Sequence, residues 1–141
     1  MNNVRKLFDE YLYKKAEIAR LKADKCIVTD TVKGSADEAP YTSRHITIAG
    51  VDKEKRRLNR EKIEKLEAEC AYVEAAVALA PNSRERLVLQ MRYMDGMQWS
   101  DVIAALESSG ITITEAACKQ RIYRYFATLE EKINERKRKA N

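Results

Sequence analysis

The fold is decided by residues 81–133, which read PNSRERLVLQMRYMDGMQWSDVIAALESSGITITEAACKQRIYRYFATLEEKI. Asn82 and Glu85 have the spacing of a capping box, in which each side chain accepts a hydrogen bond from an otherwise unpaired backbone N–H. We therefore predict a helix over 83–94 that stops at Gly96, because glycine accepts the left-handed backbone found just after a helix. The face of this helix expected to be buried carries Leu87, Val88, Met91 and Met94.

Two more helices are predicted downstream, one over 99–107 and one after the turn that contains Gly110. The first has an apolar edge, with Trp99 as the large anchor packed under the preceding helix: Val102, Ile103 and Leu106. The second begins after Thr112 or Thr114, since both are capping residues. Steps of 100° per residue give it a buried stripe and, opposite, an exposed surface flanked by Lys119 and Arg121. The stripe comprises Cys118, Ile122, Tyr125, Leu129 and Ile133, and the exposed surface Ala116, Gln120, Tyr123, Arg124 and Ala127.

Positive charge is concentrated near the C-terminus. The net charge is +5, and residues 119–139 contain eight basic and three acidic side chains, whereas charges cancel over the rest of the chain. A focused positive segment is typical of a phosphate-binding surface; a solvated helix is the alternative. The basic tail is expected to fray and to contact phosphates: Arg136, Lys137, Arg138 and Lys139.

Residues 1–80 are predicted to form a helical stem, separate from a module over 81–141. One amphipathic helix is predicted over 3–26 and a second over 52–80, each with apolar residues at steps of three and four. The first seam comprises Val4, Leu7, Tyr11, Ile18 and Leu21, with Lys14 and Lys25 at its remaining positions, and the second Ile63, Leu66, Cys70, Val73, Val77 and Ala80. The seams can pack within one chain as an antiparallel hairpin, between two chains, or both, and we expect self-association through these N-terminal helices.

The connector over 27–51 loses the helical period. β-branched runs at 28–33 and 45–48 predict two short strands that pair, around a turn region with Gly34, Ser35 and Pro40. An unstructured linker is the alternative. The alternation of Ile46 and Ile48 favours partial order.

Several classes of protein are excluded by composition. Cys26, Cys70 and Cys118 are far apart and without CxxC spacing, so we expect ordinary buried thiols rather than disulfides or a zinc site. A single histidine, His45, has no partner at ligand spacing. We expect neither catalytic residues nor a metal nor a cofactor, and hence no enzyme. No apolar run is long enough for a membrane span, and no secretory signal precedes the first helix, so we expect a cytoplasmic protein.

The C-terminal pattern resembles region 4 of bacterial sigma factors, the part that reads the −35 promoter element. Residues 84–93 resemble its lead-in helix, 97–106 the first helix of its helix-turn-helix, and 114–122 its recognition helix. The connector DTVKGSADEAPYTSRHITIAGVDK (30–53), set between charged helices, extends the likeness over nearly the whole chain. The chain thus resembles small phage and prophage regulators of Gram-positive bacteria, the RinA/ArpU-like late activators.

This resemblance implies a sequence-specific DNA-binding regulator of transcription that activates late phage genes together with host RNA polymerase. A short helix, a glycine-containing turn and a helix with polar and basic side chains independently suit insertion into the major groove of double-stranded DNA. The candidate DNA-binding residues are Ala116, Lys119, Gln120, Arg121, Tyr123 and Arg124. Alanine at 116 and 117 departs from the usual polar pattern and leaves base readout to few side chains. Two alternatives stay open: a small terminase-like DNA-packaging subunit and a helical protein-interaction module without DNA.

Overall fold

The protein is mainly helical, as predicted. A computed structural model describes residues 3–34 and 44–140, with side-chain surroundings for these residues except within 28–49. The predicted turn region at Ser35 and Pro40 and the side chains of Ile46 and Ile48 lie outside the described residues. The elements are α1 Asn3–Asp9, α2 Tyr11–Ala23, β1 Ile27–Gly34, β2 Arg44–Val51, α3 Lys53–Ala78, α4 Ser83–Leu89, a π-helical turn Gln90–Met94, α5 Trp99–Ser108 and α6 Glu115–Ala140.

The first predicted helix is shorter than expected and is divided. Glu10 separates α1 from α2, yet its N–H donates to Lys6 O (3.0 Å) and its carbonyl accepts from Lys14 N (2.9 Å), so helical hydrogen bonds continue on both sides of the division. The helix ends at Ala23 rather than near Cys26, because Asp24 is extended and its carboxylate accepts the N–H of Cys26. Cys26 itself lies in the left-handed region, at φ 53°.

The stem helices α2 and α3 run antiparallel within one chain. Ion pairs join their edges along their length: Glu17 with Lys62, Lys14 with Glu69, and Lys15 with Glu74. The predicted seam residues lie between the two helices or beneath α1, except Lys25, which is exposed and lies beyond the end of α2. Leu7, Lys14, Leu21 and Ile63 are half-buried and the other apolar seam residues are buried within one chain, so a second chain is not needed to cover the seams.

The two predicted strands pair, and each is longer than predicted. β1 and β2 are antiparallel, with Ile27 opposite Val51 and Gly34 opposite Arg44. The N–H of Asp52 donates to Cys26 O (2.8 Å), and the Asp52 side chain caps α3 by accepting from Lys55 N. The paired strands β1 and β2 are therefore joined directly to both stem helices, α2 and α3.

The predicted helix over 83–94 is divided, and its predicted buried face is confirmed except at Leu87, because Val88 is buried and Met91 and Met94 pack against the core. Leu87 is 39% exposed, whereas Val88, Leu89 and Tyr93 are buried. After Leu89 the helix widens into the π-helical turn, which shifts the following side chains around the axis relative to an α-helix. Gly96 ends this segment at φ 75°, as predicted. A Cβ at Gly96 would lie 3.0 Å from the end of the Leu12 side chain, so that side chain would have to shift slightly to accept one.

An aromatic cluster replaces Trp99 as the main anchor. Trp99 is only half-buried, with its ring edge-on to Tyr93 at 6.4 Å between centroids. The fully buried aromatic residues are Phe8 and Phe126, whose rings are 4.5 Å apart, and Tyr93 contacts both. This cluster joins α1, the π-helical turn and α6 in the core.

The segment α5–turn–α6 has well-defined ends. Gly110 lies at φ 84°, its N–H donates to Glu107 O, and Ile111 N donates to Leu106 O, the pattern of a Schellman motif. Thr114, not Thr112, caps α6, since its hydroxyl accepts from Ala117 N (3.2 Å). The predicted frayed tail is wrong: α6 stays helical to Ala140. No helix within the described ranges combines the length and apolar content needed to cross a bilayer.

The first prediction concerns a carboxylate in the stem. Glu74 accepts hydrogen bonds from Tyr11 Oη (2.6 Å) and faces Lys15 Nζ (3.1 Å), and these contacts lower the pKa of its carboxyl. A lowered pKa contributes stability above the unfolded value, and that contribution is lost as the pH falls through the lower, folded pKa. Glu74→Gln, which keeps an acceptor for Tyr11, should therefore flatten the acid side of the stability curve. Because the pair is partly exposed, the effect should be below about 1 kcal/mol.

Urea unfolding between neutral pH and the acid limb measures this effect. Glu64→Gln on the same helix is the control, because among the described residues Glu64 makes no ion pair. Equal pH slopes for Glu74→Gln and the wild type would contradict the prediction.

The second prediction concerns the aromatic cluster. Phe8→Ala and Phe126→Ala should each lower the free energy of unfolding by about 3–5 kcal/mol, as for other large core truncations. Because the rings touch, the double variant should lose less than the sum, with a coupling of about 0.5–3 kcal/mol. Tyr13→Ala, at a residue that is 79% exposed, is the control. Strictly additive losses would show that α1 and α6 are not coupled through these rings.

Candidate nucleic-acid interface

The exposed face at the start of α6 carries three of the predicted contact residues. Ala116, Gln120 and Arg124 are exposed and recur every four residues, so they line one face over about two turns. Cys118 and Ile122 point the other way, into the core beside α5. The buried stripe therefore fixes which side of α6 faces outward.

The two predicted flanking cations lie on opposite sides of this face. Lys119 is half-buried; its Nζ lies 3.7 Å from the Glu115 carboxylate and 5.8 Å from the centre of the Trp99 ring. Arg121 is exposed on the side that faces α3 and α4. A ligand lying along the exposed face would have one cation at each edge.

Tyr123 is half-buried, unlike Ala116, Gln120 and Arg124. The Arg5 guanidinium lies 4.3 Å from the centre of the Tyr123 ring and donates to the hydroxyl at 3.2 Å. The same ring contacts Phe126 in the core. Tyr123 thus supports α1 on α6, and Arg5 is brought to the border of the exposed face.

The position of α1 depends on contacts that sequence reasoning missed. Val4 N donates to Glu130 Oε2 (3.0 Å), so a carboxylate of α6 satisfies an N–H in the first turn of α1. Arg5 also approaches Asp9 at 3.9 Å. The sequence contains one signal for this arrangement. Phe8 lies four residues after Val4, so both side chains are on the same face of α1, and both are buried.

The predicted tail contacts are arranged around a helix. Arg136, Lys137, Arg138 and Lys139 are exposed in the last turns of α6. Arg136 faces α3, where its charge acts on Tyr72, whereas Lys137 does not line that side. A helix distributes these charges around its axis, so the four cannot all approach one phosphate strand.

The remaining polar chemistry near α6 is structural. The Asn82 side chain caps α4 by accepting from Glu85 N (2.9 Å), but the reciprocal half of the predicted capping box is absent, and Glu85 Oε2 is buried without a partner among the described residues.

Burial raises the pKa of the Cys118 thiol, which keeps it protonated. The three cysteines are buried and free, as predicted. Within the described ranges no group of His, Cys, Asp and Glu is placed to hold a metal.

The chain was compared with protein-family models, with curated proteins and with solved structures, and none of the three comparisons found a match.

Proposed function

We propose that this protein is a sequence-specific DNA-binding regulator of transcription that inserts α6 into the major groove of double-stranded DNA. The observation that carries the proposal is the outward face of Ala116, Gln120 and Arg124, which follows a short helix and a glycine turn and has a cation on each side. Among residues whose side chains are described, none forms an ion pair or hydrogen bond with the Gln120 or Arg124 side chain. Both are therefore available to a ligand.

Each residue of this face has a role in the proposal. The Gln120 amide has the donor and acceptor needed to read adenine, and the Arg124 guanidinium suits the two acceptors of guanine. The Ala116 methyl group can contact a thymine methyl. Lys119 and Arg121 neutralise phosphates on the two strands that border the groove, with a phosphate displacing the Glu115 carboxylate from Lys119.

Arg5 extends the proposed contact surface beyond α6. Its guanidinium is held at the border of the face by Tyr123, so it would meet the DNA backbone where the duplex leaves the helix. Tyr123 itself then acts through Arg5 rather than on a base. Tyr123 is therefore no longer proposed to contact bases. The proposal that α6 enters the major groove is unchanged.

The proposed place in transcription rests on the resemblance of residues 84–133 to sigma region 4. We propose activation of late phage genes with host RNA polymerase as the second partner, and self-association of the N-terminal helices through their outer rather than their seam surfaces. Activation at particular genes requires that the DNA contact be sequence-specific.

The third prediction tests base readout. Gln120→Ala and Arg124→Ala should each relax preference at particular base pairs, with a loss of about 1–3 kcal/mol of discrimination for a good bidentate contact. The measurement is selection of bound duplexes from a random pool, followed by titration on the selected and a scrambled sequence. Arg56→Ala, an exposed arginine in α3, is the control. If the double alanine variant folds and keeps both affinity and preference, α6 does not read bases.

The fourth prediction concerns the end of α6. Replacing Lys137, Arg138 and Lys139 with alanine should weaken binding to all sequences equally, because these side chains can meet only phosphates. The salt dependence should become shallower by about 0.9 in the log–log slope for each lost phosphate contact. Titrations at several salt concentrations measure this. A change in the preferred sequence, or an unchanged slope, would contradict a phosphate role.

A further inference from the structure

A wide groove lies between the C-terminal half of α3 and the length of α6. Its volume is about 760 Å³. The two walls run antiparallel: Tyr125 Oη donates to Ala76 O (2.6 Å) midway along, and Tyr72 lies near Arg136 at one end. The groove is thus an elongated channel between two helices, on the side of α6 next to the proposed DNA face.

The floor of the groove is apolar. Leu129 and Ile133 contribute from α6, and Leu79 at the end of α3 is 79% exposed. Small side chains at Ala75 and Ala76 keep the floor low between the larger ones. Leu79 and the half-buried Leu129 and Ile133 thus form a small apolar surface that apolar side chains of a partner can cover.

The rim of the groove is basic. It carries Arg121, Arg124, Lys132 and Arg136, and among the described side chains that line the groove Glu85 alone is acidic. None of the four cations forms an ion pair with another described side chain. The rim therefore presents positive charge along one wall with little internal compensation.

The combination of floor and rim selects one class of ligand. A phosphate backbone would use the cations but gains nothing from Leu79 and Ile133. An apolar helix would use the floor but not the cations. An amphipathic helix with apolar side chains at steps of three and four and with acidic flanks uses both. The wall from Arg121 to Arg136 is about 22 Å long, at 1.5 Å per residue, which matches a helix of about 15 residues.

We propose that this groove binds an acidic amphipathic helix of a partner protein, packed as a third helix on α3 and α6. The partner's apolar stripe covers Leu79, Leu129 and Ile133, and its carboxylates pair with Lys132 and Arg136. The proposal goes beyond the DNA contact and does not depend on it. Arg124 borders both surfaces, so a bound helix and a bound duplex compete for that side chain.

The test uses a displayed library of helices about 15 residues long, with a fixed leucine stripe and variable flanking positions, selected on the full-length protein. Enrichment of Asp and Glu at the flanks is expected. Titration of a selected labelled peptide by fluorescence anisotropy should then show binding weakened by about tenfold or more, the loss of a hot spot, for Leu79→Ser and for Lys132→Glu with Arg136→Glu.

Matched controls separate the groove from general charge and hydrophobicity. Lys137→Glu with Arg138→Glu makes the same charge change on the same helix outside the groove, and Leu58→Ser removes a leucine that is 50% exposed elsewhere on α3. Both controls should bind the peptide like the wild type. Melting temperatures of all variants show whether a loss of binding reflects unfolding.

Three outcomes would overturn the proposal. Selection could yield no binders or binders with basic or uncharged flanks; the groove variants could bind the peptide as well as the controls do; or Leu79→Ser could weaken duplex DNA binding instead, which would assign the groove to nucleic acid. Failure of the DNA proposal is separate, because it is read from the Gln120→Ala variant alone, and Gln120 does not line the groove.

Discussion

The contact of Phe8 with Phe126 is the constraint on which the rest of the structure depends. Their rings lie 4.5 Å apart, both are fully buried, and Tyr93 closes the cluster from the π-helical turn. Through this contact the first helix of the chain is packed onto the last, and α2, which follows Glu10, packs along α3. Residues near the two ends of the chain thus share one core.

Regular spacing made the helices and most of the seam predictable. Leu66, Val73 and Val77 recur at steps of three and four, and they are buried where that spacing indicates. Periodicity reports which face of one helix is apolar, but not which helix covers it. Phe126 lies four residues after Ile122 on the edge of the predicted stripe, and its complete burial depends on α1, whose position the spacing within α6 does not encode. Arg5 reaches Tyr123 for the same reason and could not be found from local pattern.

The failure to predict the burial of Tyr93 has a different physical origin. An α-helical wheel assumes 3.6 residues per turn, and the π-helical turn at Gln90–Met94 breaks that assumption by widening the helix. Side chains after the widening rotate, so Tyr93 faces the core, where its burial raises its pKa, and the Arg92 guanidinium reaches Met97 O at 2.9 Å. That bond and the positive φ of Gly96 shape the approach to α5. Helix propensities do not distinguish π-helical from α-helical hydrogen bonding, so this turn could not be predicted from the sequence.

A single helix, α6, carries the core contact, the outward face and one wall of the groove, and its geometry makes these functions interdependent. Steps of about 100° per residue put Phe126 on the inside, Gln120 on the outside and Ile133 toward α3. Arg124 lies where the outward face meets the groove. If both proposed ligands bind, an acidic helix in the groove draws this guanidinium away from the bases by charge pairing, and a duplex draws it away from the groove. By linkage each ligand then weakens the other to the same extent, and the coupling passes through one side chain without a change of fold.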